Sequence, residues 1–199
     1  MARSGIEEDL ITRGHWPLCG IDEAGRGPLA GPVVAAAVIM EPDCGLREHM
    51  RDSKQLSAAR REILFERLCS SEKVWMGVSM VDAPSIDAVN ILNATHRAMQ
   101  DALAHLDRNP VYALIDGTSA PVLPCACTTL IKGDQSEPSI SAASIVAKVT
   151  RDRFMTRMDS LYPEYGFARH KGYPTREHLH ALETFGPCPL HRRSFRGVR

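Results

Sequence analysis

An α/β fold, with a mixed sheet covered by helices, is predicted by three features of the chain. Two short apolar runs, 18–21 and 33–40, flank a Gly- and Pro-rich loop and read as adjacent buried strands. A third run alternates Val74, Met76, Val78 and Met80 with Trp75, Gly77 and Ser79, the period of two of a strand. Beyond it, helical spacing alternates with short apolar runs, the order that lays helices on the faces of a sheet.

Taken in order, 41–50 reads as a loop or irregular segment. Ser57 is a fitting N-cap for a helix over 58–69, with Ile63, Leu64 and Leu68 as its apolar stripe and Lys54 just before it, free to face a ligand. Pro84 and Ser85 open one long helix to about Leu106, carried by Ile91, Ala94, Ala98 and Ala102, and Asn109-Pro110 stops it. The run 111–115 ends in Asp116-Gly117, and 129–131 ends in Lys132-Gly133-Asp134. A helix over 138–161 carries Ala142, Ala143 and Ala147, small enough for close approach to a sheet. Thr175 caps a last helix to Phe185, which Gly186, Pro187 and Pro189 terminate.

A chain of 199 residues, 44% hydrophobic, suits one core and a single domain over 1–199, with a C-terminal segment at about 163–199. Formal net charge is zero, which excludes a strong overall basic field. Residues 169–199, however, hold seven Lys or Arg against Glu177 and Glu183, a basic tail that could follow a phosphate backbone. The six cysteines include no C-x-x-C pair, so free thiols are expected rather than zinc. The acidic N-terminus is unlike a signal peptide, and no run reaches the roughly 18 apolar residues of a membrane span, so the expected setting is soluble and cytoplasmic.

Chemistry concentrates around 18–40. Gly25, Gly27 and Gly31 permit unusual backbone angles and close approach, and Arg26 on that bare main chain suggests an anionic contact. Asp22, Glu23, Asp116 and Asp134 all lie where an apolar run meets a Gly-containing turn, the edge where α/β sheets present ligand-binding groups. Each alone is an ordinary turn residue. Brought together they would repel, and a divalent cation is the natural compensation, with oxygen-only donors selecting Mg²⁺ or Mn²⁺ over zinc. Such a site suits phosphodiester hydrolysis with two metal ions. Because strand side chains alternate faces, Asp22 and Glu23 point one way only if the chain bends near Gly25.

The motifs GIDEAGRGPLAGPV at 20–33, DSKQL at 52–56, NATH at 93–96, IDG at 115–117, KGD at 132–134, SAASIVAKVTRD at 141–152, HKGYPT at 170–175 and HRRSF at 191–195 resemble those of the ribonuclease HII family, in order and with compatible spacing. The resemblance implies a ribonuclease H-like fold: a five-stranded mixed sheet flanked by helices, with a small C-terminal helical segment. It implies an endonuclease that hydrolyses the RNA strand of RNA·DNA hybrids and cuts 5′ to single ribonucleotides in duplex DNA, leaving a 3′-hydroxyl and a 5′-phosphate. It places Asp22, Glu23, Asp116 and Asp134 at positions that bind two Mg²⁺ or Mn²⁺ ions. It likens Gly25-Arg26-Gly27 to a loop that reads the ribose 2′-hydroxyl and Tyr173 to a tyrosine that stacks on the neighbouring sugar, while Lys54, Asn93, Thr95, Ser144 and Lys148 match positions near the nucleic acid. The chain ends soon after Phe195, without the longer helical extension of some relatives. A monomer is expected. One rival is ribonuclease HIII, which typically has Gly-Thr-Gly at this loop and an extra N-terminal domain, where only 17 residues precede Leu18 here. The other is a non-catalytic nucleic-acid-binding module, which gives no reason for four acids at strand ends.

Overall fold

The computed structural model describes residues 5–51 and 57–198. Five strands form one mixed sheet in the order β3-β2-β1-β4-β5: β1 (Leu18–Ala24), β2 (Val33–Met40), β3 (Val74–Val81), β4 (Tyr112–Asp116) and β5 (Ala126–Leu130). The first three pair antiparallel, whereas β4 and β5 run parallel to β1. β2 and residues 18–21 of β1 are apolar on both sides because both faces are covered.

One face carries α4 (Ala83–Val89) and α5 (Ile91–Ala104), whose Ile86, Ala94, Ala98 and Ala102 meet Cys19, Ile21, Ala35 and Ala37. On the other face, α2 (Leu46–Arg51), α3 (Ala58–Cys69) and α6 (Pro138–Asp159) close over Ala36, Val38 and Met40. Two glycines set how near the helices come. A Cβ on Gly20 would stand 2.1 Å from the Ser139 carbonyl carbon of α6, and one on Gly77 would stand 2.0 Å from the Ala102 oxygen of α5. The backbone of α6 therefore rests directly on β1, as its alanines require. Before β1, α1 (Ile6–Thr12) anchors the start of α6: the buried Glu7 carboxylate accepts bonds from Ser139 N and Oγ and pairs with Arg47. No helix among the described residues is long and apolar enough to cross a membrane.

Several expectations change. Residues 46–51 are helical rather than irregular, because Leu46 and Met50 are buried against α6. The long helix from Pro84 is two helices broken at Asn90, whose φ of +68° ends α4 and whose side chain caps α5 by accepting from Asn93 N at 3.1 Å. Ile63 is exposed, so the stripe of α3 is Leu64 and Leu68; Ser57 caps this helix as expected, accepting from Arg60 N. β1 continues through Ala24, so both acids of its end lie within the strand. Lys54 and the rest of DSKQL lie outside the described residues.

After α6 come the short α7 (Phe167–His170) and α8 (Arg176–Phe185), the latter capped by Thr175. Tyr165, Phe167, Leu182, Cys188 and Val198 enclose Leu29 and Ala30 in a smaller core. Backbone bonds fasten the glycine loop to this segment: Leu29 N to Gly172 O, Gly31 N to Leu190 O and Arg192 N to Leu29 O.

Candidate active site

The parallel register of β1 with β4 ends at Ile21 opposite Ile115, so the next residues, Asp22 and Asp116, emerge side by side at the carboxyl ends of neighbouring strands. Neighbouring strands lie about 4.8 Å apart, which brings the two acids within direct electrostatic reach. Asp134 sits in the 3₁₀ turn Gly133–Gln135 that follows β5, and the Gly133 N–H ties that turn to β4 by donating to Asp116 Oδ1 at 2.7 Å. Three separate stretches of sequence thus present carboxylates at one sheet edge.

Their ionisation records this crowding. Asp22 is buried, and burial first, then the Glu23 charge and more weakly Asp116, push its carboxyl well above the usual range against a hydrogen bond from Ser144. Burial likewise raises Glu23, opposed by Arg26 and reinforced by Asp116, and burial with the Asp116 charge raises Asp134. Glu23 Oε1 accepts from Arg26 Nη1 at 3.2 Å, while its Oε2 is buried without a partner.

This donor set fits a hard divalent cation: it is all oxygen, its charges are mutually unfavourable, and one buried acceptor is unsatisfied. As the side chains stand, no three among the described residues enclose one point closely enough to hold an ion. Alternation assigns Asp22 to the α6 face with Gly20, and Glu23 to the face of Ile21. Gly25, with φ of +96°, turns the chain after Glu23 rather than between the two acids.

Beside the acids lies a cavity of about 310 Å³ lined by Glu23, Gly25, Arg26, Gly27, Ser144, Lys148, Arg151 and Tyr173. Five of the expected contact residues besides Tyr173 therefore share one concavity. Gly27 faces the Tyr173 ring, where a Cβ would stand 3.9 Å from Cε1. Lys148 is paired with Asp152 at 2.7 Å. The other two expected contact residues on α5 lie outside this cavity: Thr95 is 1% exposed with its hydroxyl bonded to the Ile91 carbonyl, and Asn93 is exposed with its amide on the Val89 carbonyl.

Two arginines absent from the predicted site hold its glycine loop from the inside. Arg151 and Arg192 are buried and receive the carbonyls of the glycine loop: Arg151 donates to Ala30 and Pro32, and Arg192 to Gly25, Arg26, Pro28 and Gly31. Burial, then the Arg151 charge, push Arg192 down to about 9, which leaves it protonated at neutral pH. The basic tail expected to track phosphates thus turns one arginine inward, while the backbone of Arg193 and Ser194 is held by Asp87 of α4. The sequence signal was present only as HRRSF and TRD, which read equally as solvated charge.

A ribonuclease H-like nuclease is the class that this mixed sheet and its edge of acids define. The match to known proteins narrows it. A family model described as Ribonuclease HII matches residues 19–198, and the chain belongs to the ribonuclease HII family. A ribonuclease HII of Caldicellulosiruptor saccharolyticus is 50% identical over 190 residues, covering 96% of this chain and 92% of the relative. The crystal structure of the ribonuclease H2 from Pyrococcus horikoshii superposes with a TM-score of 0.78 at 28% identity, covering 92% of this chain and 95% of that one. A Bst ribonuclease HIII solved in complex with Mn²⁺ shares the fold at a TM-score of 0.64 and 19% identity, covering 91% and 67% of the two chains. The chain is accordingly a type 2 ribonuclease H endonuclease, a hydrolase of a divalent-metal-dependent family that acts on RNA·DNA hybrids.

Proposed function

We propose that this enzyme hydrolyses the RNA strand of RNA·DNA hybrids and cuts the phosphodiester 5′ to a single ribonucleotide in duplex DNA, acting as a cytoplasmic monomer in ribonucleotide removal and primer degradation. Its unit is one catalytic domain whose segment 163–199 helps bind substrate. The observation that carries this reading is the meeting of the acids with a glycine-loop cavity at one strand end: Glu23 belongs to both.

In this reading Asp22, Glu23, Asp116 and Asp134 hold two Mg²⁺ or Mn²⁺ ions. Such ions supply an activated water and charge stabilisation of the leaving oxygen. Gly25, Arg26 and Gly27 meet the ribose 2′-hydroxyl, the group that separates RNA from DNA. Tyr173 stacks on the sugar beyond the junction, and Ser144 and Lys148 line the approach, Lys148 exchanging Asp152 for a phosphate. The Mn²⁺ complex of the ribonuclease HIII of the same fold supports the choice of cation.

The test is nicking of a duplex with one ribonucleotide, with Mg²⁺ or Mn²⁺ and with chelator. Metal-dependent cleavage 5′ to the ribonucleotide is expected, and Asp116→Asn should lose cleavage while retaining binding. No cut with either metal, or an unimpaired variant, refutes the assignment.

A further inference from the structure

The loop after β1 has its carbonyl oxygens drawn inward to an unusual degree. Arg192 Nη2 donates to Gly25 O at 2.6 Å, Nη1 to Arg26 O at 3.0 Å and Pro28 O at 2.8 Å, and Nε to Gly31 O at 2.9 Å. The side chain is fully buried, with the Phe195 ring 5.0 Å from its guanidinium carbon. No carboxylate pairs with it among the described residues; its charge is spent on peptide dipoles.

Peptide geometry turns this into a statement about the opposite side of the loop. Outside Trp16-Pro17, the described peptide bonds are trans, so each N–H points away from the carbonyl of the residue before it. With the Gly25 and Arg26 carbonyls on Arg192, the N–H groups of Arg26 and Gly27 face away from it. Both residues line the cavity beside Glu23 and Tyr173, and neither N–H has a partner among the described residues.

We propose that Arg192 is a specificity-determining positioning residue: by gathering these carbonyls it presents the Arg26 and Gly27 N–H groups as a fixed pair of donors to the 2′-oxygen of a ribonucleotide. The inference rests on the proposed role of the loop in ribose recognition. A buried lysine cannot replace it, because one ammonium has neither the planar fork nor the donors to reach four carbonyls from one place.

The readout is selectivity, the ratio of the dissociation constants for an all-DNA duplex and for the same duplex with one ribonucleotide, measured by fluorescence anisotropy in chelator. Arg192→Lys should lower this ratio about tenfold, the equivalent of one hydrogen bond of about 1.4 kcal/mol, while the all-DNA constant changes less than about twofold. A folded variant with unchanged selectivity overturns the proposal, since mere loss of stability does not alter a ratio between two ligands of the folded molecule. Should Arg192→Lys fail to fold, the unmodified chain decides: the amide signals of Arg26 and Gly27 in ¹H–¹⁵N spectra should move with the ribonucleotide duplex and not with all-DNA. Absence of that difference overturns the proposal. An unmodified chain that binds both duplexes equally and cuts neither overturns instead the functional reading on which it rests.

Discussion

Acid should weaken this fold through a chain of histidines that leads to Tyr173. Cys188 N–H donates to His191 Nδ1 at 3.0 Å, so His191 carries its proton on Nε2 and donates to His178 Nε2 at 3.0 Å; His178 in turn donates from Nδ1 to the Tyr173 carbonyl at 2.9 Å. Both rings are neutral in this arrangement, and a second proton on either sets two donors against each other. The stacked His170, the Cys188 thiol and Tyr165 complete the surroundings, with Glu164 acting on the last two from the side. Burial, then His178 and His170, push His191 down to about 4 from its usual 6.5.

Because the unfolded chain takes up the proton first, the contribution of this ring to stability is complete above about pH 6.5 and is lost as pH falls toward 4. The loss is about 2 kcal/mol by pH 5 and about 3 kcal/mol by pH 4. Asp22, Glu23 and Asp134, raised in the fold, act in the opposite sense, since their contribution is present at low pH and lost as pH rises. A difference measurement removes them. Urea unfolding of the unmodified chain and of His191→Phe, both with chelator, should show a stability gap that narrows by about 2 kcal/mol between pH 7.5 and pH 5. A gap constant to within about 0.5 kcal/mol would refute the assigned tautomers and the neutral pair.

Two further outcomes follow from the site. Asp22→Asn should abolish cleavage yet raise metal-free stability at neutral pH, by on the order of 1 kcal/mol, because it removes a buried charge repelled by Glu23 and Asp116 while keeping the side-chain oxygen that accepts from Glu23 N; thermal unfolding in chelator checks this, and a less stable variant counts against the crowding. Tyr173→Ala, which removes a ring 42% exposed on the cavity wall, should impair cutting at a single ribonucleotide more than cutting in a long hybrid, and equal impairment on both substrates would contradict its role at the junction.

What could be read from the chain and what could not divide along the range of the forces involved. Strands β1 to β3, helix α6 and the caps Ser57 and Thr175 rest on local pattern, and the apolar runs and capping residues announce them. The break at Asn90 escaped because apolar spacing runs through it; the signal lay in Asp82 and Asn90, each of which caps the helix that follows. Helix α2 is only six residues long and owes its form to Leu46 and Met50 packing on α6, a contact distant in sequence. The acids were legible because a carboxylate at the end of an apolar run is conspicuous. That Thr95 is buried was not legible, because motif position says nothing of which side of a helix faces the sheet. The arginines were illegible for a stronger reason: two guanidiniums that together bind six backbone carbonyls leave no trace in charge pattern, and only tertiary structure separates Arg192 inside from Arg193 outside.

That separation also explains how a neutral chain keeps a strongly acidic edge beside two buried cations. If Arg151 and Arg192 paired with Asp22 and Glu23, the carboxylates would be satisfied and their pull on a cation lost. Instead the charges acting on Asp22 are Glu23 and Asp116, and those on Glu23 are Arg26 and Asp116, whereas both buried guanidiniums donate to the carbonyls of residues 25–32. The short glycine loop is the partition. It absorbs positive charge on its inner side, turns the Arg26 and Gly27 N–H groups to the outer side, and leaves Glu23 to Arg26 alone among the nearby arginines, with neither buried guanidinium drawn onto Asp22.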